Sequence, residues 1–432
     1  MELSIDQSKA LDLFKAGYNM FITGPGGTGK THLIRLMNKW AIENGKNPQV
    51  CAMTGCAARL LECNARTLHS WSGIGLGTGD IASTVRRVVG KKYKKQQLKK
   101  ADVLIIDEVS MMSLKIFELM DKLLIGAKRN VKPFGGLQIV LVGDFYQLPP
   151  VGDADEIETT QFCFESERWA QCIDKIVDMK HVFRQTDSMF AKVINQVRVG
   201  RLKKSSFDLL KTRVAVQVSD TIKPTILMPL RRHVDSINQR ELSKLDQTSM
   251  VKYECAMTID KEAERAGRSD PEQIEREYES LKRNLMADEA IDLCVGAQVM
   301  CIANIDMESK NQLVNGSQGV IESFNAGLPV VRFRDGHIRT IAKHVWSSEV
   351  IPCVGVEQLP LIHAWAITIH KAQGVTLDLA EIDAGQNIFE CGQTYVALSR
   401  VKTLDGLYLT AFDPSRIKVS AKVQSFYKDL VV

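Results

Sequence analysis

Only 6% of the 432 residues are aromatic, and several informative patterns are missing altogether. No apolar run approaches the roughly 18 residues that a membrane-spanning helix needs. The opening Met1-Glu-Leu-Ser-Ile-Asp-Gln7 has no basic stretch followed by an apolar one. Secretion and membrane insertion are therefore disfavoured, and the expectation is a soluble intracellular protein of the cytoplasm or nucleus. Ten cysteines scattered from Cys51 to Cys391 never form C-x-x-C, which argues against a disulfide framework and a four-cysteine zinc site. The histidines form no H-E-x-x-H and no close Cys/His cluster. There is no low-complexity tail and no short repeat. What remains is 45% hydrophobic and 25% charged, the composition of a folded soluble protein. At roughly 100–200 residues per domain, the length asks for two or three domains.

Charge of either sign is nearly balanced, with 56 Lys+Arg against 51 Asp+Glu and a net of +5. The excess is local. Arg86 to Lys100 holds eight Lys/Arg and no acid, so the rest of the chain carries 48 basic against 51 acidic residues, a net of −3. Such a run is either a phosphate-contacting patch or a solvated loop.

The first half alternates short β-branched runs with helical stretches. Met20 to Thr23, Gln49 to Met53, Val103 to Asp107 and Gln138 to Gly143 each end in a polar or Gly-rich turn. This predicts an α/β architecture, a parallel sheet whose strand carboxyl ends form the working edge. After Lys30, the spacing of Leu33, Ile34, Leu36, Met37 and Trp40 predicts a helix. Thr67 to Lys100, Gly-rich and then basic, interrupts the sheet pattern. In the charged stretch from Asp260 to Glu289, the spacing of Ile274, Tyr278, Leu281 and Leu285 predicts one or two solvated helices. Ala297 to Trp346 is β-rich, with turn signals at Asn315-Gly316, Asn325-Ala326-Gly327 and Asp335-Gly336, and predicts a small all-β insert. From Ala364 the strand–helix alternation resumes.

Gly24-Pro-Gly-Gly-Thr-Gly-Lys30-Thr31 satisfies G-x-x-x-x-G-K-[ST] between a strand and a helix, the context a P-loop requires. Gly24, Gly26, Gly27, Thr28 and Gly29 let backbone N–H groups approach phosphate oxygens. Lys30 neutralises β/γ charge, and the Thr31 hydroxyl can ligate Mg²⁺. Val103-Leu-Ile-Ile-Asp107-Glu108 is an apolar strand ending in two acids. Because side chains alternate, one acid can face the Mg²⁺ and the other an attacking water; alone, such a pair is often a cap or surface ion pair. Gly143-Asp-Phe-Tyr-Gln147-Leu-Pro-Pro150 ends another strand and in isolation reads as a turn. Its Gln147 could bridge a γ-phosphate to a moving part. Arg400, and likewise Arg184, is either an arginine finger or a partner in a structural ion pair.

Together these stretches resemble superfamily-one helicase motifs. Gln7, the P-loop, Thr54-Gly-Cys-Ala-Ala58, Thr67-Leu-His69, Asp107-Glu-Val-Ser-Met111, Gly143 to Val151, Val182-Phe-Arg184-Gln, Thr368-Ile-His370-Lys371-Ala-Gln373-Gly374 and Ala397-Leu-Ser-Arg400 stand in the family order over nearly the whole chain. Lys132-Pro-Phe-Gly-Gly-Leu-Gln138 is similar to the signature of the Pif (petite integration frequency) helicases, relatives of the RecD type.

The resemblance implies two RecA-like P-loop domains with ATP in the cleft between them, a small wedge insert in the first and an SH3-like β insert in the second. The corresponding ranges are 1–63 and 101–180 for the first motor domain, 64–100 for the wedge, 181–292 and 349–432 for the second motor domain, and 293–348 for the β insert. It implies ATP and Mg²⁺ as cofactors, and partners in single-stranded DNA and single-strand/duplex junctions, with 5′-to-3′ translocation by a chain that is monomeric when isolated. Carried over by position, Gln7 would read adenine, and Gly374 would join the nucleotide site. Lys30 and Thr31 would hold phosphates and metal, Asp107 the metal, Glu108 would be the general base and Gln147 the γ-phosphate sensor. Arg184 and Arg400 would be fingers from the second domain. Thr54, His69, Thr368, His370 and Lys371 match positions near single-stranded DNA. The basic run would then lie near the duplex junction, and neutralising Lys91, Lys92, Lys94 and Lys95 is expected to weaken DNA binding.

Three other readings share parts of this pattern. A P-loop ATPase that remodels protein would show no stimulation by DNA. A small-molecule kinase has no need of the second Gln/Arg-bearing half, and a non-enzymatic DNA-binding module has no need of Glu108.

Overall fold

The computed structural model describes residues 3–75, 77, 79–153, 155–185, 187–217, 222–260, 270–283, 285–305, 313–348, 351 and 353–430. The chain forms two compact units. One comprises Met1–Arg201, Glu390–Val396 and Ile417–Val432, the other Leu202–Phe389 and Ala397–Arg416. Among the described residues, no helix is long and apolar enough to cross a membrane.

The first unit is built on β1 (Met20–Thr23), β2 (Pro48–Ala52), β3 (Arg66–Thr67), β4 (Val103–Asp107), β5 (Gln138–Val142) and β6 (Lys175–Asp178). They form one sheet in the order β3-β2-β4-β5-β1-β6, parallel throughout. Every residue of β1, β4 and β5 is buried, as expected of strands covered by helices on both faces. On one face, Phe14 of α1 (Ile5–Lys15) and Leu33, Ile34 and Met37 of α2 (Lys30–Glu43) pack with Ile22, Ile105 and Val140. The other face carries Phe21, Phe145 and Trp169, packed against Phe426 near the chain's end. This return of the C-terminal helix Ala421–Asp429, with the pairing of Arg198 to Asp144, explains why the first unit runs past the expected boundary at 180 to Arg201.

The expected wedge, 64–100, is joined more closely to the sheet than its composition suggests. Arg66–Thr67 is the edge strand β3, paired with β2. Helices Ile81–Gly90 and Lys92–Lys100 pack on Leu114–Lys128, burying Val88 and Leu98. Lys94 corrects the sequence reading of the basic run as a uniformly accessible patch. It is 7% exposed, and its Nζ donates to the Ser70 carbonyl (3.0 Å), the Trp71 carbonyl (2.9 Å) and Gln97 Oε1 (3.1 Å).

In the second unit, β7 (Thr225–Met228), β18 (Ala366–Thr368), β19 (Ala380–Ala384) and β20 (Leu407–Phe412) form a parallel sheet in the order β18-β7-β19-β20. Between these lie β8 (Val251–Glu254), β9 (Ala256–Ile259), β10 (Ala290–Leu293), β11 (Gln298–Cys301), β12 (Gln318–Asn325), β13 (Leu328–Phe333), β14 (Ile338–Thr340), β15 (His344–Ser347), β16 (Val354–Gln358) and β17 (Leu361–His363). The β insert is a five-stranded antiparallel sheet, β14-β13-β12-β11-β17. Its last strand lies beyond the expected limit at 348, while β15, inside that limit, pairs with β16 instead. Hydrogen bonding across distant segments, which local turn signals cannot report, moved that border. The Asn325-Ala326-Gly327 turn is a tight hairpin with positive φ at Ala326 (49°) and Gly327 (75°). Of the charged stretch, Pro271–Arg283 is helical, with Ile274 and Tyr278 buried; 261–269 fall outside the described residues.

Candidate active site

Because β1, β5 and β4 are adjacent and parallel, their carboxyl ends bring the P-loop, the Gly143–Gln147 turn and the Asp107-Glu108 pair to one edge of the sheet. This is where an open α/β sheet takes a ligand. The P-loop is satisfied on itself: Lys30 Nζ donates to the Gly24 (2.8 Å) and Pro25 (2.9 Å) carbonyls, and Thr28 Oγ1 to the Pro25 carbonyl (3.0 Å). Burial pushes the Lys30 pKa down, and the carboxylates of Asp144, Glu108 and Asp107 oppose it. Thr31, the second residue of α2, is partly exposed.

Two close approaches set the loop's neighbours. Gln7 forms a capping box with Ser4, and its Nε2 lies 3.4 Å from the Thr28 carbonyl. A Cβ on Gly29 would sit 2.6 Å from that nitrogen, and one on Gly27 would sit 2.5 Å from the Arg184 Cβ. The Phe183 N–H also donates to the Gly27 carbonyl (2.8 Å). Arg184 thus stands beside the P-loop as part of the first unit, not of the second as the resemblance implied. It was assigned elsewhere because the chain crosses between units later than the motif order suggests.

The Asp107 carboxyl is 8% exposed and accepts from the Glu108 N–H (2.9 Å). Burial first, and then the charge of Glu108, raises its pKa to about 7, against the pull of that N–H and of Lys30. A carboxylate so short of solvation suits a divalent cation. Glu108 itself has φ 54° and ψ 42°, a left-handed conformation that costs a non-glycine residue about 1–3 kcal/mol.

The residue that sequence reading passed over is Asp144, fully buried at the start of the Gln147 turn. Arg198 donates to both of its oxygens (Nε to Oδ2, 2.8 Å; a terminal nitrogen to Oδ1, 2.9 Å). The Tyr395 hydroxyl donates to Oδ2 (2.9 Å) and accepts from the Gly26 N–H of the P-loop (2.8 Å). Tyr427, stacked on Tyr146, exchanges a hydrogen bond with Thr23 Oγ1 (2.5 Å). Burial would lower the Arg198 pKa, but the Asp144 carboxylate more than offsets it. Gly-Asp reads locally as turn chemistry; its partners lie in a helix and in late segments that no local signal links to it.

Of the expected DNA contacts, Thr54 caps helix Gly55–Leu60 through the Ala57 N–H (3.2 Å), and His69 lies in helix Leu68–Ser72 after β3; both belong to the first unit. Thr368, His370 and Lys371 line a cavity of about 360 Å³ in the second unit, with Arg231, Asn238 and Asp288. Lys371 Nζ is 3.6 Å from Asp288. Burial lowers the pKa of His69 and His370, which favours the neutral imidazole in both. Arg400, 2% exposed, and Gly374, exposed with φ 78°, lie in the second unit.

A parallel sheet presenting a P-loop, a strand-end acid pair and a polar turn at one edge defines a P-loop nucleotide-binding protein. Comparison with known proteins narrows the class. The sequence model for PIF1-like helicases matches residues 2–207, and that for the DNA helicase Pif1 2B domain matches 278–324. The ATP-dependent DNA helicase Pif1 of Bdellovibrio bacteriovorus is 34% identical over 99% of this chain and 92% of its own length. The zebrafish (Danio rerio) ATP-dependent DNA helicase PIF1 is 35% identical over 99% of this chain, which spans 64% of that relative's length. Among solved structures, Bacteroides Pif1 in complex with ADP-AlF4 superposes with a TM-score of 0.82 at 30% identity, covering 100% of this chain and 97% of that one. Candida albicans Pif1 gives 0.76 at 32% identity, with both chains covered entirely. The chain belongs to the PIF1-like helicase family.

Proposed function

We propose that the protein is an ATP-dependent DNA helicase that moves 5′ to 3′ along single-stranded DNA and unwinds duplex or structured DNA. The carrying observation is the gathering of Lys30, Asp107, Glu108 and Gln147 on one sheet edge, the set needed to hydrolyse ATP rather than only bind it. The relatives' names support the reading, as does the solved structure of Bacteroides Pif1 bound to single-stranded DNA.

The P-loop N–H groups and Lys30 bind the phosphates, and Lys30 exchanges its contacts with the Gly24 and Pro25 carbonyls for phosphate oxygens. Thr31 and Asp107 would hold Mg²⁺, which when bound neutralises phosphate charge. Glu108 takes the proton of the attacking water, Gln147 senses the γ-phosphate, and Gln7 and Gly374 complete the nucleotide site. Arg184 and Arg400 stabilise charge on the transferring group. Thr54 and His69, and Thr368, His370 and Lys371, grip the DNA strand in alternation as ATP is bound and hydrolysed. The isolated chain is proposed to be a soluble monomer that acts at forks, G-quadruplexes or RNA–DNA hybrids in replication, repair, recombination or telomere maintenance.

The test is a pair of duplexes, one with a 5′ single-stranded tail and one with a 3′ tail. The 5′-tailed duplex should be unwound with ATP and the 3′-tailed one left intact; the opposite preference refutes the polarity.

A further inference from the structure

We propose that Tyr395 is a positioning residue for the nucleotide site: its hydroxyl ties the P-loop to the turn that carries Gln147, so that the two hold one geometry. The proposal rests on the ATPase reading above. The connection is continuous. The Gly26 N–H donates to the Tyr395 hydroxyl (2.8 Å), which donates to Asp144 Oδ2 (2.9 Å), and the Asp144 carbonyl accepts from the Gln147 N–H (2.8 Å). Tyr395 is 2% exposed and Asp144 0%. Burial first, and then the Asp144 carboxylate, raises the phenol's pKa, so the hydroxyl stays protonated and its donor direction toward Asp144 is fixed.

A second contact presses the same segment on the same turn. Gly392 comes so close that a Cβ there would lie 2.5 Å from the Gln147 carbonyl oxygen and 2.7 Å from that of Tyr146. Glu390–Val396 belongs to the first unit although it lies far along the chain, so residues near the end brace two loops near the beginning. With Tyr395 2% exposed, the hydroxyl holds the loop at Gly26 while the remaining P-loop N–H groups meet phosphate. Gln147 Oε1, buried and without a hydrogen-bond partner among the described residues, is the group whose aim depends on this brace.

Tyr395→Phe keeps the ring and removes only the relay. Tyr253→Phe, which deletes another buried phenol hydrogen bond (2.7 Å to the Gly327 carbonyl) in the second unit, is the stability control. For Tyr395→Phe, DNA-stimulated kcat for ATP should fall about tenfold, the loss of roughly one well-placed hydrogen bond, with KM changed by less than about twofold. Hydrogen exchange of the nucleotide-free protein should speed up in peptides covering 24–31 and 141–148, and Tyr253→Phe should alter neither. Unchanged kcat together with unchanged exchange refutes the proposal, as does tighter binding of ADP to Tyr395→Phe, the mark of a displaceable placeholder. Faster exchange in Tyr395→Phe combined with no ATP turnover by the wild-type chain supports the coupling and defeats the functional reading instead.

Discussion

The basic run around helix Lys92–Lys100 yields a prediction in which Lys94 and its neighbours Lys91, Lys92 and Lys95 fail in opposite ways. Lys94 is spent inside the fold on three acceptors, two of them backbone carbonyls at the end of helix Leu68–Ser72. Its truncation orphans those carbonyls, and at about 1.5–3 kcal/mol for a hydrogen bond to a charged group, partly offset by water entering, Lys94→Ala should cost about 2–4 kcal/mol. In a unit of this size that lowers the melting temperature by roughly 5–10 °C. Lys91 and Lys92 are exposed and Lys95 half-exposed. The triple variant Lys91→Ala/Lys92→Ala/Lys95→Ala should melt within about 2 °C of the parent, since surface changes rarely exceed about 0.5 kcal/mol. If all three meet phosphates, at about 0.7 each, the slope of log K against log salt for single-stranded DNA should become shallower by about 2. Fluorescence anisotropy across a salt series and a thermal melt read both quantities. A Lys94→Ala protein as stable as the parent would refute the burial argument, and an unchanged salt slope in the triple variant would remove this helix from the DNA interface.

Two further outcomes follow from the acid pair. Glu108→Gln should bind ATP normally while turnover drops by about 10²–10⁴-fold, the range for a lost general base; a nucleotide-binding assay beside steady-state turnover decides it, and undiminished turnover places the base elsewhere. Asp107 has a pKa raised to about 7, so in the metal-free protein the folded state holds its proton more tightly than the unfolded chain. Its contribution to stability is therefore fully present at low pH and is lost as pH rises from the ordinary carboxylate range toward 7. Melts at pH 5 and pH 8 without Mg²⁺ should show Asp107→Asn relatively more stable at pH 8, and an identical pH dependence in the two proteins would contradict the raised value.

Motifs whose meaning is local were legible from residues alone. The P-loop needs only eight contiguous residues, and its strand and helix follow from short apolar periods, so Met20–Thr23 and Val103–Asp107 emerged with their observed limits. The hairpin at Asn325-Ala326-Gly327 was equally plain, because positive φ restricts which residues can turn. Lys94 was not legible: a lysine among lysines carries no mark of burial, and only the packing of three helices places its ammonium against carbonyls. Edge strand β3 was missed because two residues are too few for a period-two pattern to register.

Composition and local spacing by themselves determined an α/β chain with a phosphate loop, a strand-end acid pair and a β insert, because each depends on residues within a few positions of one another. Tertiary structure alone decided that Arg184 belongs with the first unit, that Asp144 is a buried hub rather than a turn residue, and that Tyr395 reaches the loop around Gly26. For the last two the physical reason is common: a buried charge or phenol must find its partners wherever the packed sheet brings them, and here those partners lie 54 to 369 residues away along the chain.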